Sequence, residues 1–199
     1  MALGISNGSD GGGGGGGGGD FTPIAKWDAK SGDFLARNRS QGSDGTWSSD
    51  DVEIQTPVEF VADMDNIEVG WISYSPSVDF KVTKIGGAMP PKPSDDYKQG
   101  FRLRLYNKEL GLRELSSTAK TVVRVLDELH DNYVAESAAN EGKLPLVALK
   151  GGKRVKINTP GGELTFKVPD WSIEGWVSRP AEMEAGGGPD PVADEGDIF

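Results

Sequence analysis

The sequence contains no cysteine and one histidine. Without thiols there is no disulfide framework, no thiolate metal site and no cysteine nucleophile. With a lone histidine there is no His-rich metal cluster, and most nucleophilic or metal-hydrolase mechanisms lack their usual groups. No stretch approaches the ~18 apolar residues of a membrane-spanning helix, so no membrane association is expected. The first residues lack a basic region followed by an apolar one, so no secretory leader is expected and the cytoplasm is the expected location. Basic residues are missing from both ends. Residues 1–20 carry two Asp, residues 181–199 carry six acids, and neither stretch has a Lys or Arg. The ends therefore account for eight of the ten excess negative charges and leave −2 on residues 21–180. An acidic whole-chain balance thus does not argue against an anionic ligand.

What is abundant is glycine, and it is unevenly placed. Nine of the 29 Gly form the unbroken run Gly11 to Gly19. Such a run has nothing to bury and maximal backbone entropy, so residues 1–20 are expected to be a disordered arm. Residues 180–199, with Gly186 to Gly188, Pro189, Pro191 and the acids, are expected to be a disordered tail. Residues 21–179 are long enough for one domain with a single core.

That middle is rich in short strand patterns: 24–29, 34–39, 52–62 with a bend at Pro57, 67–74, 78–85, 101–106, 144–150, 154–158, 164–168 and 171–177. Gly161-Gly162 after Pro160 reads as a hairpin turn. One segment differs. From Ser116 to about Asn140, Val122, Leu126, Leu129 and Tyr133 recur at helical spacing; Ser116 or Ser117 could cap its start, and Gly142 lies beyond its end. Several strands, one helix, then more strands is the element order of an OB-like five-stranded Greek-key barrel, here with extra hairpins. Other β-rich barrels and sandwiches with one helix share that order. A mainly β fold of this kind is expected.

The strand 101–106 places Phe101, Leu103 and Leu105 on one side and Arg102, Arg104 and Tyr106 on the other. An outer face of two Arg and a Tyr can hold phosphates and stack a base; it is equally an ordinary solvated face. A second basic block, Lys143, Lys150, Lys153, Arg154 and Lys156, has no acid among its neighbours from 143 to 156. It falls where an OB-like barrel has its fourth-to-fifth strand loop. Lys26, Lys30, Arg37, Arg39, Lys81, Lys84, Lys92 and Lys98 add further cations, whereas residues 41–70 hold eight acids and no base. A surface polarised in this way would steer a polyanion to one side. Tyr74, Tyr106 and Trp176 lie on the opposite parity from their apolar neighbours and are stacking candidates; they could equally cover a second small core or a homodimer interface. His130, beside Leu126 and Tyr133, reads as a boundary residue of the helix. The acids of 50–68 show no catalytic or metal-binding spacing.

The chain ends in Asp194-Glu195-Gly196-Asp197-Ile198-Phe199. Acids followed by an apolar pair and a free carboxylate make a compact plug for a partner's basic, apolar pocket. This ending resembles the acidic, Phe-ended tails of phage-type single-stranded-DNA-binding proteins. Val61-Ala62-Asp63-Met64-Asp65-Asn66-Ile67-Glu68-Val69-Gly70-Trp71-Ile72 and Lys98-Gln99-Gly100-Phe101-Arg102 are similar to segments of small phage proteins of that kind. The ending departs from the cellular members, which have Asp followed by Ile-Pro-Phe. The resemblance implies an OB-fold barrel that binds single-stranded DNA without strong sequence preference. It also implies a tail, through Asp194, Glu195, Asp197, Ile198 and Phe199, that recruits replication, recombination and repair proteins in the cytoplasm of a host bacterium. No reaction and no cofactor are expected. The alternatives are a non-catalytic protein-interaction barrel and a carboxylate metal-dependent nuclease.

Overall fold

The computed structural model describes residues 22–41, 46–76 and 78–184. The expected arm 1–20 and the tail residues Asp194, Glu195, Asp197, Ile198 and Phe199 lie outside the described residues. The elements are β1 (Ile24–Trp27), β2 (Phe34–Gln41), β3 (Trp47–Ile54), β4 (Val58–Ala62), β5 (Glu68–Ser73), β6 (Asp79–Lys84), β7 (Lys98–Asn107), β8 (Gly111–Ser117), α1 (Lys120–Ser137), β9 (Lys143–Thr159), β10 (Gly162–Ser178) and the short α2 (Ala181–Glu184). All ten strands form one strongly curled sheet in the order β10-β9-β4-β7-β8-β1-β2-β3, with β5 and β6 branching from β7. The protein is mainly β with one long helix.

Taking β4 and β5 as one interrupted first strand, the pairs first–second (β4 and β5 with β7), second–third (β7–β8), first–fourth (β4–β9) and fourth–fifth (β9–β10) are all present. These are the pairings of an OB-like Greek key, and α1 stands between its third and fourth strands. The third and fifth strands are separated by β1. It runs parallel to β8 through Ile24↔Glu114 and Ala25↔Leu115. Its other edge pairs with β2, and the turn after it reaches β10: the Lys167 N–H donates to the Ala29 carbonyl (2.8 Å) and Trp27 Nε1 donates to the Lys167 carbonyl (2.9 Å). The N-terminal hairpin therefore fills the seam of the barrel.

Alternation along β7 puts Phe101, Leu103 and Leu105 in the core, as the sequence pattern predicts. The helical stripe Val122, Leu126, Leu129 and Tyr133 is buried against the same core. Phe34 meets Phe60 (5.5 Å) and Trp171 (6.5 Å) edge-on across it. Each such side chain contributes roughly 1.5–3 kcal/mol of burial.

Several boundaries differ from the sequence pattern. The helix starts at Lys120, because Ser116 and Ser117 finish β8; Ala119 is the N-cap and no side chain caps it. The stretch 52–62 is two strands, β3 and β4, broken before Val58 at Pro57. Strand β8 carries too few apolar residues to stand out. Residues 143–159 and 162–178 are single long strands, because Gly151 (φ 133°) and the bulges at Pro169/Trp171 and Ile173/Gly175 bend them without ending them. Phe166, on the apolar side of its strand in sequence, is only half-buried. The ordered chain also runs past residue 179: α2 buries Met183 among Val61, Leu144 and their neighbours.

Candidate nucleic-acid interface

Two glycines shape the outer face of the barrel. Gly70 and Gly100 are opposite one another in the β5–β7 register. A Cβ on Gly70 would lie 2.2 Å from the Lys81 carbonyl oxygen, and one on Gly100 would lie 2.4 Å from that of Ser117. Only residues without side chains allow backbones so close, and the sheet curls toward its outer face at both. The β5–β6 hairpin thereby becomes a wall standing beside the outward surface of β7 and β8.

Between this wall and the β2–β3 hairpin lies an open groove of about 840 Å³. Arg102, Glu114, Ser116, Ile24 and Lys26 form its floor; Tyr74, Val78 and Phe80 line one side, Arg37 and Ser49 the other. Tyr74 is 48% exposed and Val78 55%, so the wall presents bare apolar surface. The Tyr74 hydroxyl donates to Ser116 Oγ (3.1 Å). Burial raises its pKa, with Ser116 opposing, so the phenol stays neutral. The Arg102 guanidinium lies 4.3 Å from the centre of the Phe80 ring and pairs with Glu68 (3.1 Å) and Glu114. Burial opposes its charge, but the two carboxylates outweigh burial and the net shift is upward. Arg37 makes a fork with Asp51 (2.7 and 2.8 Å), which raises the Arg37 pKa and lowers that of Asp51. Thr118 and Ala119 close one end of the groove with the uncapped start of α1. Trp27 also touches it, bonded to the seam at Lys167.

Of the residues singled out from sequence, Lys26, Arg37, Tyr74 and Arg102 come together here. Arg104 does not: it turns to Asp63 (2.5 Å), whose fully buried carboxylate also receives Arg179 (2.8 Å) and Asn66 (2.8 Å). Tyr106 donates to Glu182 (2.7 Å) and helps seat α2. Trp176 packs on Tyr133 (5.6 Å between rings), with Nε1 directed at Glu136 (3.3 Å). These three lie outside the groove lining. Lys81 pairs with Asp79 (3.3 Å), and Lys84 is exposed on β6 opposite Glu68. Arg39 stands opposite Ser49 in the β2–β3 register; its side chain is outside the described residues. Lys150 (to Glu174, 2.8 Å), Lys156 (to Glu163, 2.8 Å), Lys153 and Arg154 lie on the β9–β10 hairpin.

No family model, curated protein or solved structure matches the chain. The groove must therefore be read from its own chemistry. Among the described residues no cluster of His, Cys, Asp or Glu could hold a metal ion, and no helix is long and apolar enough to cross a membrane.

The groove residues that sequence reasoning missed are Phe80, Val78, Ile24 and Glu114. The alternation Val78, Phe80, Val82 is visible in the sequence. A strand facing the core and a strand facing a groove have the same period, so only the fold tells them apart.

Proposed function

We propose that the protein binds single-stranded DNA in this groove, without strong sequence preference, as a non-catalytic component of replication, recombination or repair. The observation that carries the proposal is the pairing of Tyr74 and Phe80 with Lys26, Arg37 and Arg102 across the second and third strands of an OB-like barrel. That is the face on which such barrels take oligonucleotides. Unstacked bases can lie on the two rings, each worth roughly 1–3 kcal/mol. Lys26 and the cations of the β9–β10 hairpin can meet phosphates. The phage-like ending Asp194 to Phe199 supports a recruiting role for the tail, with Phe199 as the apolar anchor.

Trp27 reports on the groove directly. Titration of the intrinsic tryptophan fluorescence with oligo-thymidine at two salt concentrations should show saturable binding that weakens with salt, and much weaker binding to a duplex of the same length. Equal affinity for both forms would refute the proposal.

One observation favours a second reading. Arg37 and Arg102 are already paired with carboxylates, so the groove is close to neutral and suits an apolar peptide as well. A peptide ligand predicts no response to oligo-thymidine at any salt concentration.

A further inference from the structure

Arg102 is held from below and from both ends. Register places Glu68, Gly70, Gly100, Arg102 and Phe80 on one face of β5, β6 and β7. Gly70 and Gly100 put no side chain between Arg102 and Phe80, and the guanidinium lies over the Phe80 ring, 4.3 Å from its centre. Glu68 on β5 pairs with Nη1 (3.1 Å), and Glu114 on β8 pairs with Nη2. Nε is buried without a hydrogen-bond partner. The side chain is nevertheless 29% exposed and belongs to the groove floor. What it shows to the groove is the flat face turned away from Phe80.

This setting suits a base better than a phosphate. One positive charge stands between two negative ones, so a phosphate arriving at Arg102 meets a net negative cluster and must first displace a carboxylate. A nucleobase carries no charge and meets no such opposition. A guanidinium is planar, weakly hydrated and stacks on flat π systems. The ring beneath it and the carboxylates at its ends have already removed the rotamer freedom that stacking would cost. We propose that Arg102 is a base-stacking platform in the groove floor, with Phe80 as its support and Glu68 and Glu114 as the positioning residues that fix its plane. A base on the Phe80 side of the groove lies on the guanidinium over the ring, and phosphates are left to Lys26 on the same floor. This inference rests on the groove's binding single-stranded DNA and names the group that takes the base.

Fluorescence anisotropy on the full chain with two labelled probes tests it: a strand of about 16 thymidines and an abasic strand of the same length, with the same phosphates and no bases. Two variants are compared with the wild type. R102K keeps the charge that Glu68 and Glu114 require but has no plane, and F80L keeps an apolar wall but removes the ring under the guanidinium. Thermal melting checks that each is folded. R102K should bind the thymidines about tenfold more weakly than the wild type and the abasic strand equally well. F80L should show the same pattern with a smaller loss. A loss of equal size on both strands makes Arg102 a phosphate contact and overturns the platform, leaving the groove reading intact. Unchanged affinity of both variants for the thymidines overturns it as well. No binding of the thymidines by the wild type refutes the groove reading itself.

Discussion

Asp63 has no exposed side-chain atom, yet it accepts from Arg104, Arg179 and Asn66. It ties the start of the first barrel strand's second half to β7 and to the end of β10. Removing one member of such a cluster leaves buried charge without a partner. Asp63→Ala should therefore lose about 3–5 kcal/mol of unfolding free energy, read from a urea midpoint. The lone histidine gives a second residue-level test. Burial lowers the His130 pKa, with Asp131 and Asp127 pulling the other way, and its ring lies beside Tyr133 (5.9 Å). The folded protein then binds fewer protons than the unfolded chain just below pH 6.5. Stability should decline as pH falls from about 6.5 to the folded-state pKa and level off below it. The single imidazole signal in a proton NMR titration should have its midpoint below the usual histidine value, and His130→Phe should remove this part of the pH dependence.

At the scale of elements, α1 begins at the end of the groove with Ala119 as an N-cap that offers no side-chain acceptor. Ala119→Ser should stabilise the protein by about 1 kcal/mol in thermal unfolding. Ala119→Asp should stabilise it similarly but weaken DNA binding, because its charge stands where a phosphate would approach. Gly70 and Gly100 shape the groove wall, so Gly70→Ala should cost about 1–3 kcal/mol, since the backbone carbonyl of Lys81 cannot yield as a side chain would. How far these elements could be read in the sequence follows from their physics. β7 and α1 each bury one clean stripe, and periodicity reveals both. The cap of α1 is not legible, because Ser116 and Ser117 suit a cap in any context, while the register of β8 claims them. Arg102 and Arg104 look equivalent on their strand. One reaches Phe80 in the groove and the other a buried carboxylate 41 residues away, a difference set by long-range pairing that no local pattern carries. The same holds for Phe80, whose parity fits a core as well as a wall.

At the scale of the whole molecule, charge is divided between the barrel and the chain's end. Residues 185–199 hold four acids and no base. As a tethered polyanion they should compete with DNA for the cations of the barrel, so a chain ending at Glu184 should bind DNA more tightly, most at low salt. The cut must fall after α2. Ending the chain at Arg179 also removes buried Met183 and the Glu182–Tyr106 bond, and should lower stability by about 2–5 kcal/mol. Comparing the two truncations by anisotropy and thermal melting separates the electrostatic effect from the packing effect. Deleting only Phe199 should leave DNA affinity nearly unchanged and abolish pull-down of tail partners.

The seam of the barrel also has a meaning in time. Trp27 and Lys167 are 140 residues apart, and a ribosome needs on the order of 10 s to cover that distance. The turn after β1 leaves the ribosome among the first segments, yet the strand it bonds to, β10, is among the last. A nascent chain can therefore pair β1 with β2 and β8, and already hold every groove-lining residue from Thr22 to Ala119, while the bonds to Lys167 are still unmade. The seam closes late in translation, when the strand made near the end bonds to the turn made near the beginning.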